Sequence, residues 1–316
     1  MARFIKFKSK YKEEDNTGFG NQPNTQGSKL IKNDGSFNVT IKGLPFSQRF
    51  NIFHDLITMP WWRFNLMVFI AYVLMNILFA SLYLVVGMDQ IEGDRGLTNI
   101  EQFWDAFFFS AQTLTTVGYG RENPIGLSAN FISAFECLIG LMSFALITGL
   151  LYSRFSRPVA KLVKSENMLL APYKEGNALM FRLANKRNNQ LIECEVEVML
   201  ALNVIESGKE FRRFFPLTLE RKKINTLALS WTIVHPIDDA SPLHEVNLPE
   251  LNDADAEIIV LFKAFDDTYS QHVHTRYSYK WSELIIGAKF NLMYTQTTDG
   301  SGTVLYLDKI NSHQKL

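Results

Sequence analysis

Two apolar stretches, 64–88 and 127–152, most constrain what this 316-residue chain can fold into. Each exceeds the roughly 20 residues that a helix needs to cross a hydrocarbon core of about 30 Å. In that medium backbone groups are satisfied within the segment, so both stretches are expected to be spanning helices. Between them lies 100–114, rich in Phe and Trp but, at about 15 residues, too short to span. It reads as a pore-helix-like segment that enters the membrane and turns back, which is viable only where its end is buried in protein or faces water. Directly after it comes Thr115-Thr116-Val117-Gly118-Tyr119-Gly120. Gly118 and Gly120 admit positive φ without steric cost, which lets carbonyls turn to one side of the loop. The negative pole of the preceding helix dipole points the same way and favours a cation there.

One such loop cannot enclose an ion, whereas four around an axis can, so the motif implies a homotetramer. In this setting the hexapeptide Thr115, Thr116, Val117, Gly118, Tyr119 and Gly120 reads as a potassium selectivity filter, with K+ at Thr116, Val117, Gly118 and Tyr119. Small residues in the second stretch, Ser133, Gly140, Ser143 and Gly149, allow inner helices to pack closely around the axis. The series Gly140, Phe144, Thr148, Tyr152 steps by four and lies on one helical face, the expected pore lining.

The rest of the chain frames this membrane region. Acidic and basic residues are equal, 32 of each, so no bulk charge argues for nucleic acid. Cys137 and Cys194 make no metal-ligand spacing and are expected to be free thiols. Residues 1–42 are polar and basic, without the apolar run of a signal peptide, and are expected to form a mobile tail. Within them 37–41 alternates and fits either a short strand or a loop. Residues 43–63 carry Phe50, Phe53, Ile57, Trp61 and Trp62 on one side and are too polar to cross, which fits a helix lying at the interface. Arg49, Arg63, Arg154, Arg157, Lys161 and Lys164 flank the outer ends of the pair of spans, and only Arg95 and Arg121 fall between them. That bias puts both termini in the cytoplasm and the chain, multi-pass, in the inner or plasma membrane. A linker over 153–172 leads to 173–316, where period-two runs separated by turn residues predict a β-sandwich. No nucleophile–base pairing or metal cluster points to an enzyme.

Three further stretches carry a family resemblance: Arg154-Phe155-Ser156-Arg157-Pro158; Met180-Phe181-Arg182-Leu183-Ala184-Asn185; and 229–238 with Ser241-Pro242-Leu243. With the filter they make the chain resemble the inward-rectifier potassium channels, most of all the prokaryotic members. The resemblance implies a two-span α-helical pore domain with a re-entrant pore helix, an immunoglobulin-like cytosolic β-sandwich and a homotetramer. It implies passive K+ conduction gated by the cytosolic domain and anionic lipids, with K+ as permeant ligand and no cofactor. A membrane-anchored ligand or lipid sensor with a vestigial pore is the alternative. Phe144 falls where family members place the residue that controls rectification, and an aromatic there implies weak rectification. Tyr152 falls at the narrow inner gate. Gln112 and Glu122 replace the pair that usually braces the filter, and Glu136 is a further candidate for filter support. Arg63, Arg154, Arg157 and Lys161 match lipid-phosphate positions. Asp266, Asp267 and Thr268 match a second, cytoplasmic constriction. His235 belongs to the signature.

Overall fold

A computed structural model describes residues 18–20, 28–32, 34–43, 45, 51–93, 98–156, 161–206, 208–244 and 246–316. The chain divides into two compact units, Lys42–Arg157 and a second made of Met1–Ile41 with Pro158–Leu316.

The Lys42–Arg157 unit is helical. Helix α1 (Ile52–Thr58) starts at Asn51, whose side chain accepts from the His54 backbone N–H. It stops at Met59, which is extended at ψ 153 because the residue before a proline is pushed out of the helical region. Pro60 then opens α2 (Trp61–Val86). The expected interfacial helix over 43–63 is therefore shorter: Trp61, Trp62 and Arg63 belong to the first spanning helix, and 46–50 lie outside the described residues. Gly87, at φ +109, ends α2. Helix α3 (Asn99–Leu114) begins with a capping box in which Thr98 and Glu101 satisfy each other's backbone N–H. Helix α4 (Leu127–Phe155) runs three residues past the expected end of the second span. Strands β1 (Ile91–Glu92) and β2 (Asn123–Pro124) pair between these helices. Both α2 and α4 are long and apolar enough to cross a membrane, and most of their surface is uncovered within the chain. The core helix of a soluble protein would be mostly covered, so the exposed apolar faces favour lipid or further protein around them. Phe79, Ala80 and Tyr83 of α2 bury against Ala106 and Phe109 of α3, which sets the re-entrant helix against the first span.

The other unit is a β-sandwich. One sheet holds β3 (Leu162–Lys164), β4 (Met168–Tyr173), β5 (Gly176–Asn185), β9 (Ser230–Ile237) and β12 (Leu284–Ile286). The other holds β6 (Leu191–Glu206), β7 (Lys209–Pro216), β8 (Lys223–Thr226), β10 (Glu257–Asp266) and β11 (Gln271–Lys280). Alternate residues of the two sheets, among them Leu179, Phe181, Val196, Val198, Ile258 and Val260, meet in one buried core, as period two requires. Strand β3 and all of β4 but Tyr173 lie inside the stretch expected to be a linker, because their main chain pairs with β5 and β12. The short helix α5 (Leu248–Asp253) precedes β10, and two small ladders, β13 (Ala288–Phe290) with β16 (His313–Lys315) and β14 (Tyr294–Gln296) with β15 (Thr303–Leu305), finish the domain. His235 clasps this fold: its Nδ1 donates to the Thr218 carbonyl at 2.6 Å and its Nε2 accepts from Ser241 Oγ at 2.8 Å. Burial holds its pKa below the ordinary histidine value.

The described part of the N-terminal segment is docked on this sandwich. Ile31 is fully buried among Met199, Ala201, Phe214 and Ile259, and it bridges to Phe37, while no strand forms over 38–41. The Leu30 backbone N–H donates to both carboxylate oxygens of Glu257, at 2.9 and 3.2 Å, and Lys29 Nζ donates to Glu283 at 2.9 Å. Glu257 is fully buried and also lies 3.5 Å from Arg212 and from Lys280, the pairing that a buried carboxylate needs.

Candidate functional site

The 115–120 loop begins where α3 runs out of hydrogen-bond partners. The last carbonyls of a helix have no intrahelical donors, and here the following loop supplies them. Thr115 N donates to Ala111 O at 3.3 Å, Thr116 N to Thr113 O at 3.0 Å, and Val117 N to Gln112 O at 3.0 Å. Beyond that turn φ alternates in sign. It is +59 at Thr116, +50 at Gly118 and +81 at Gly120, with no positive φ at Val117 or Tyr119. Alternation between the two hands is what aligns successive carbonyls on one side. Two of the three positive positions are glycine and carry no penalty. Thr116 is β-branched, for which positive φ is strained. Val117 and Tyr119 are exposed within the single chain.

Three side chains expected to support the filter occupy different places. Gln112 Oε1 accepts from the Tyr119 backbone N–H at 3.4 Å, so it spans the loop from behind. Glu122 is buried, with Oε1 3.8 Å from the Nε of its neighbour Arg121. Glu136 is fully buried on α4 and joins three residues that sequence reasoning did not pick out as a site. Tyr83 OH donates to its Oε2 at 2.7 Å, Ser110 Oγ lies 2.5 Å from its Oε1, and Ser110 Oγ lies 3.1 Å from Asn76 Oδ1. Asn76 Nδ2 donates in turn to the Tyr72 carbonyl at 2.8 Å. The available signal was Asn76 itself: a buried amide in an apolar span needs a polar partner on another helix.

The expected pore stripe splits. Phe144, Thr148 and Tyr152 are exposed along α4, Phe144 by 72% and Tyr152 by 73%. Gly140 is not exposed with them. It is buried against the end of α3, where a Cβ would meet the Leu114 carbonyl oxygen at 1.9 Å. Its service is close approach of α4 to the pore helix.

The basic residues also divide. Arg63 is exposed, with its guanidinium 5.2 Å from the Trp62 ring, and Lys161 is exposed. Arg154, expected at lipid phosphates, is spent inside the unit. Its Nη1 donates to the Leu56 carbonyl and its Nη2 to the Met59 carbonyl at 2.7 Å. The group lies over the rings of Trp61 and Phe64. These are the open carbonyls at the end of α1, and a cation there also suits the helix dipole. Arg157 lies outside the described residues. At the tip between β10 and β11, Asp266 is fully buried, accepting from Asn189 Nδ2 at 2.6 Å and from the Thr268 N–H at 3.0 Å. It shapes the turn and does not offer its charge to a passage, whereas Asp267 and Thr268 are exposed.

Comparison with known proteins agrees with this architecture. The family profile for the inward rectifier potassium channel transmembrane domain matches residues 31–158, and that for the inward rectifier potassium channel C-terminal domain matches residues 163–313. The chain is 38% identical over 283 residues, 89% of its length and 94% of the relative's, to inward rectifier potassium channel Kirbac3.1 of Paramagnetospirillum magnetotacticum. It is 26% identical over 315 residues, 90% of its length and 72% of the relative's, to G protein-activated inward rectifier potassium channel 2 of Rattus norvegicus. The protein of that name from Pongo abelii is 26% identical over 296 residues, 84% of this chain and 68% of the relative.

Proposed function

We propose that this chain, which belongs to the inward rectifier potassium channel family, works as a homotetramer whose four 115–120 loops enclose a K+ path. Passive, potassium-selective conduction is the family's function and this chain's. The observation that carries the detailed reading is the alternation of φ at Thr116, Gly118 and Gly120 directly after a re-entrant helix. Four such strands supply rings of carbonyl oxygen that replace the hydration shell of a K+ ion. The binding positions are Thr116, Val117, Gly118 and Tyr119, braced by Gln112 from behind.

Below the filter the exposed face Phe144, Thr148 and Tyr152 lines the path, with Tyr152 the narrowest point. Phe144 offers no negative charge to divalent or polyamine blockers, so rectification is weak. Arg63 and Lys161 bind anionic headgroups at the inner membrane edge, where Arg157 has the same role, while Asp267 and Thr268 edge the cytoplasmic constriction. Both termini lie in the cytoplasm, as the basic residues outside the two spans support.

The test is flux through purified protein in liposomes. Expected are K+ uptake blocked by Ba2+, Na+ exclusion, a dependence on anionic lipid that weakens in Arg63→Gln and Lys161→Gln, and a wider closed gate in Tyr152→Ala. A protein that passes Na+ as readily as K+, or no ion under any lipid composition, refutes the reading and favours a sensor with a vestigial pore.

A further inference from the structure

Asn76, Ser110, Glu136 and Tyr83 form a closed polar chain in an otherwise apolar region. Asn76 and Tyr83 come from α2, Ser110 from α3 and Glu136 from α4, so the chain ties these three helices together. Each of the four is at most 1% exposed. Ser110 sits five residues before Thr115, in the last turns of the helix that delivers the filter.

The hydrogens can be counted. Ser110 Oγ lies within hydrogen-bonding distance of two acceptor oxygens, Asn76 Oδ1 and Glu136 Oε1, but a hydroxyl has one proton to donate. Tyr83 OH already donates to Oε2 of Glu136, and Asn76 Nδ2 already donates to Tyr72 O. Both Ser110 contacts are hydrogen bonds when the Glu136 carboxyl donates to Ser110 and Ser110 donates to Asn76. The order is then Glu136 to Ser110 to Asn76 to the Tyr72 carbonyl, with Tyr83 closing the other oxygen. No basic side chain is needed. A fully satisfied buried network fixes geometry, and a broken one leaves several groups without partners.

We propose that this four-residue chain is the brace of the pore helix, with Glu136 acting as a hydrogen-bond donor, and that Asn76, Ser110, Glu136 and Tyr83 are positioning residues for K+ selectivity. The proposal rests on the reading of 115–120 as a conducting filter. It adds to the hold that Gln112 gives the loop from behind: the constraint acts about one turn before Thr115, on the helix.

The experiment compares K+ and Na+ permeability in liposomes for wild type, Ser110→Ala, Tyr83→Phe, Glu136→Ala and Glu136→Gln, each first checked as an assembled oligomer by size exclusion. Ser110→Ala and Glu136→Ala are expected to lower the K+/Na+ permeability ratio by roughly tenfold, the scale of one buried unsatisfied group. Glutamine places a donor nitrogen, with two N–H groups, and an acceptor oxygen where the carboxylic acid has one O–H donor and one acceptor, so Glu136→Gln keeps most of the wild-type ratio. Tyr83→Phe keeps the ring packing on Phe109 and removes only the donor, so it reports on the brace even where Ser110→Ala fails to assemble. An unchanged ratio in Tyr83→Phe and Glu136→Ala overturns the brace, and a collapse in Glu136→Gln overturns the donor role. Lack of K+ selectivity in wild type instead overturns the channel reading on which the proposal stands.

Discussion

Adding one methyl group at Gly140 should spoil the filter from a distance. The Cβ of Gly140→Ala would lie 1.9 Å from the Leu114 oxygen, 2.9 Å from its carbonyl carbon and 3.3 Å from its Cα. All three are backbone atoms of α3, so no side chain can rotate away. A relaxed carbon–oxygen contact is about 3.3 Å, so α4 and the end of α3 must separate by about 1.4 Å. Overpacking of this kind costs ~1–3 kcal/mol per site. Leu114 is the residue before Thr115, so the displacement falls on the first residue of the filter. Misplacement of about 1 Å costs on the order of a hundredfold where function depends on position. Paired liposome flux with K+ and Na+ gradients should show the K+/Na+ ratio of Gly140→Ala fall by at least roughly tenfold, with a lower melting temperature. An alanine variant with wild-type selectivity and wild-type melting temperature would show that α3 and α4 are not held this close, and the reasoning fails.

Three other outcomes follow from separate parts of the molecule. Ile31→Ala empties a fully buried site and should cost ~2–5 kcal/mol of the docking of the N-terminal segment, seen as faster proteolysis near residue 31 in the assembled channel; an unchanged digestion rate would refute it. His235 has a folded pKa below its unfolded value of about 6.5, so its contribution to stability is present above that pH and is lost as pH falls toward the folded value. The melting temperature should therefore drop on acidification, with a shallower slope in His235→Gln, and equal slopes would refute the assignment. Phe144→Asp should introduce voltage-dependent block by internal Mg2+ in bilayer recordings, and its absence would remove Phe144 from the path.

What could be read in advance depended on how local each feature is. The alternation of φ over 116–120 was legible because its conformational demand is written into alternate glycines. The spans were legible because length and apolarity suffice. The core strands of the sandwich showed period two. The docking of Ile31 was not legible, since its pocket is built from Met199, Phe214 and Ile259, far along the chain. Arg154 at a membrane edge looks the same in sequence whether its donors meet phosphates or the Leu56 and Met59 carbonyls. Asp266 and Asp267 are adjacent acids, and only the turn hydrogen bonds separate a buried brace from an exposed charge. Gly140 fits the four-residue stripe, and only the approach of Leu114 removes it.

Thr116 has a consequence for the ion itself. A β-branched residue at φ +59 holds a conformation that it would leave if nothing opposed the change. In the proposed tetramer four of these residues would meet at one ring, where their oxygens would also repel one another. A cation between them relieves that repulsion and, binding the folded form alone, stabilises it by mass action. On that proposal potassium would be a component of the architecture as well as its cargo: the passage would be stiffest while full, and an empty one would be the state open to collapse.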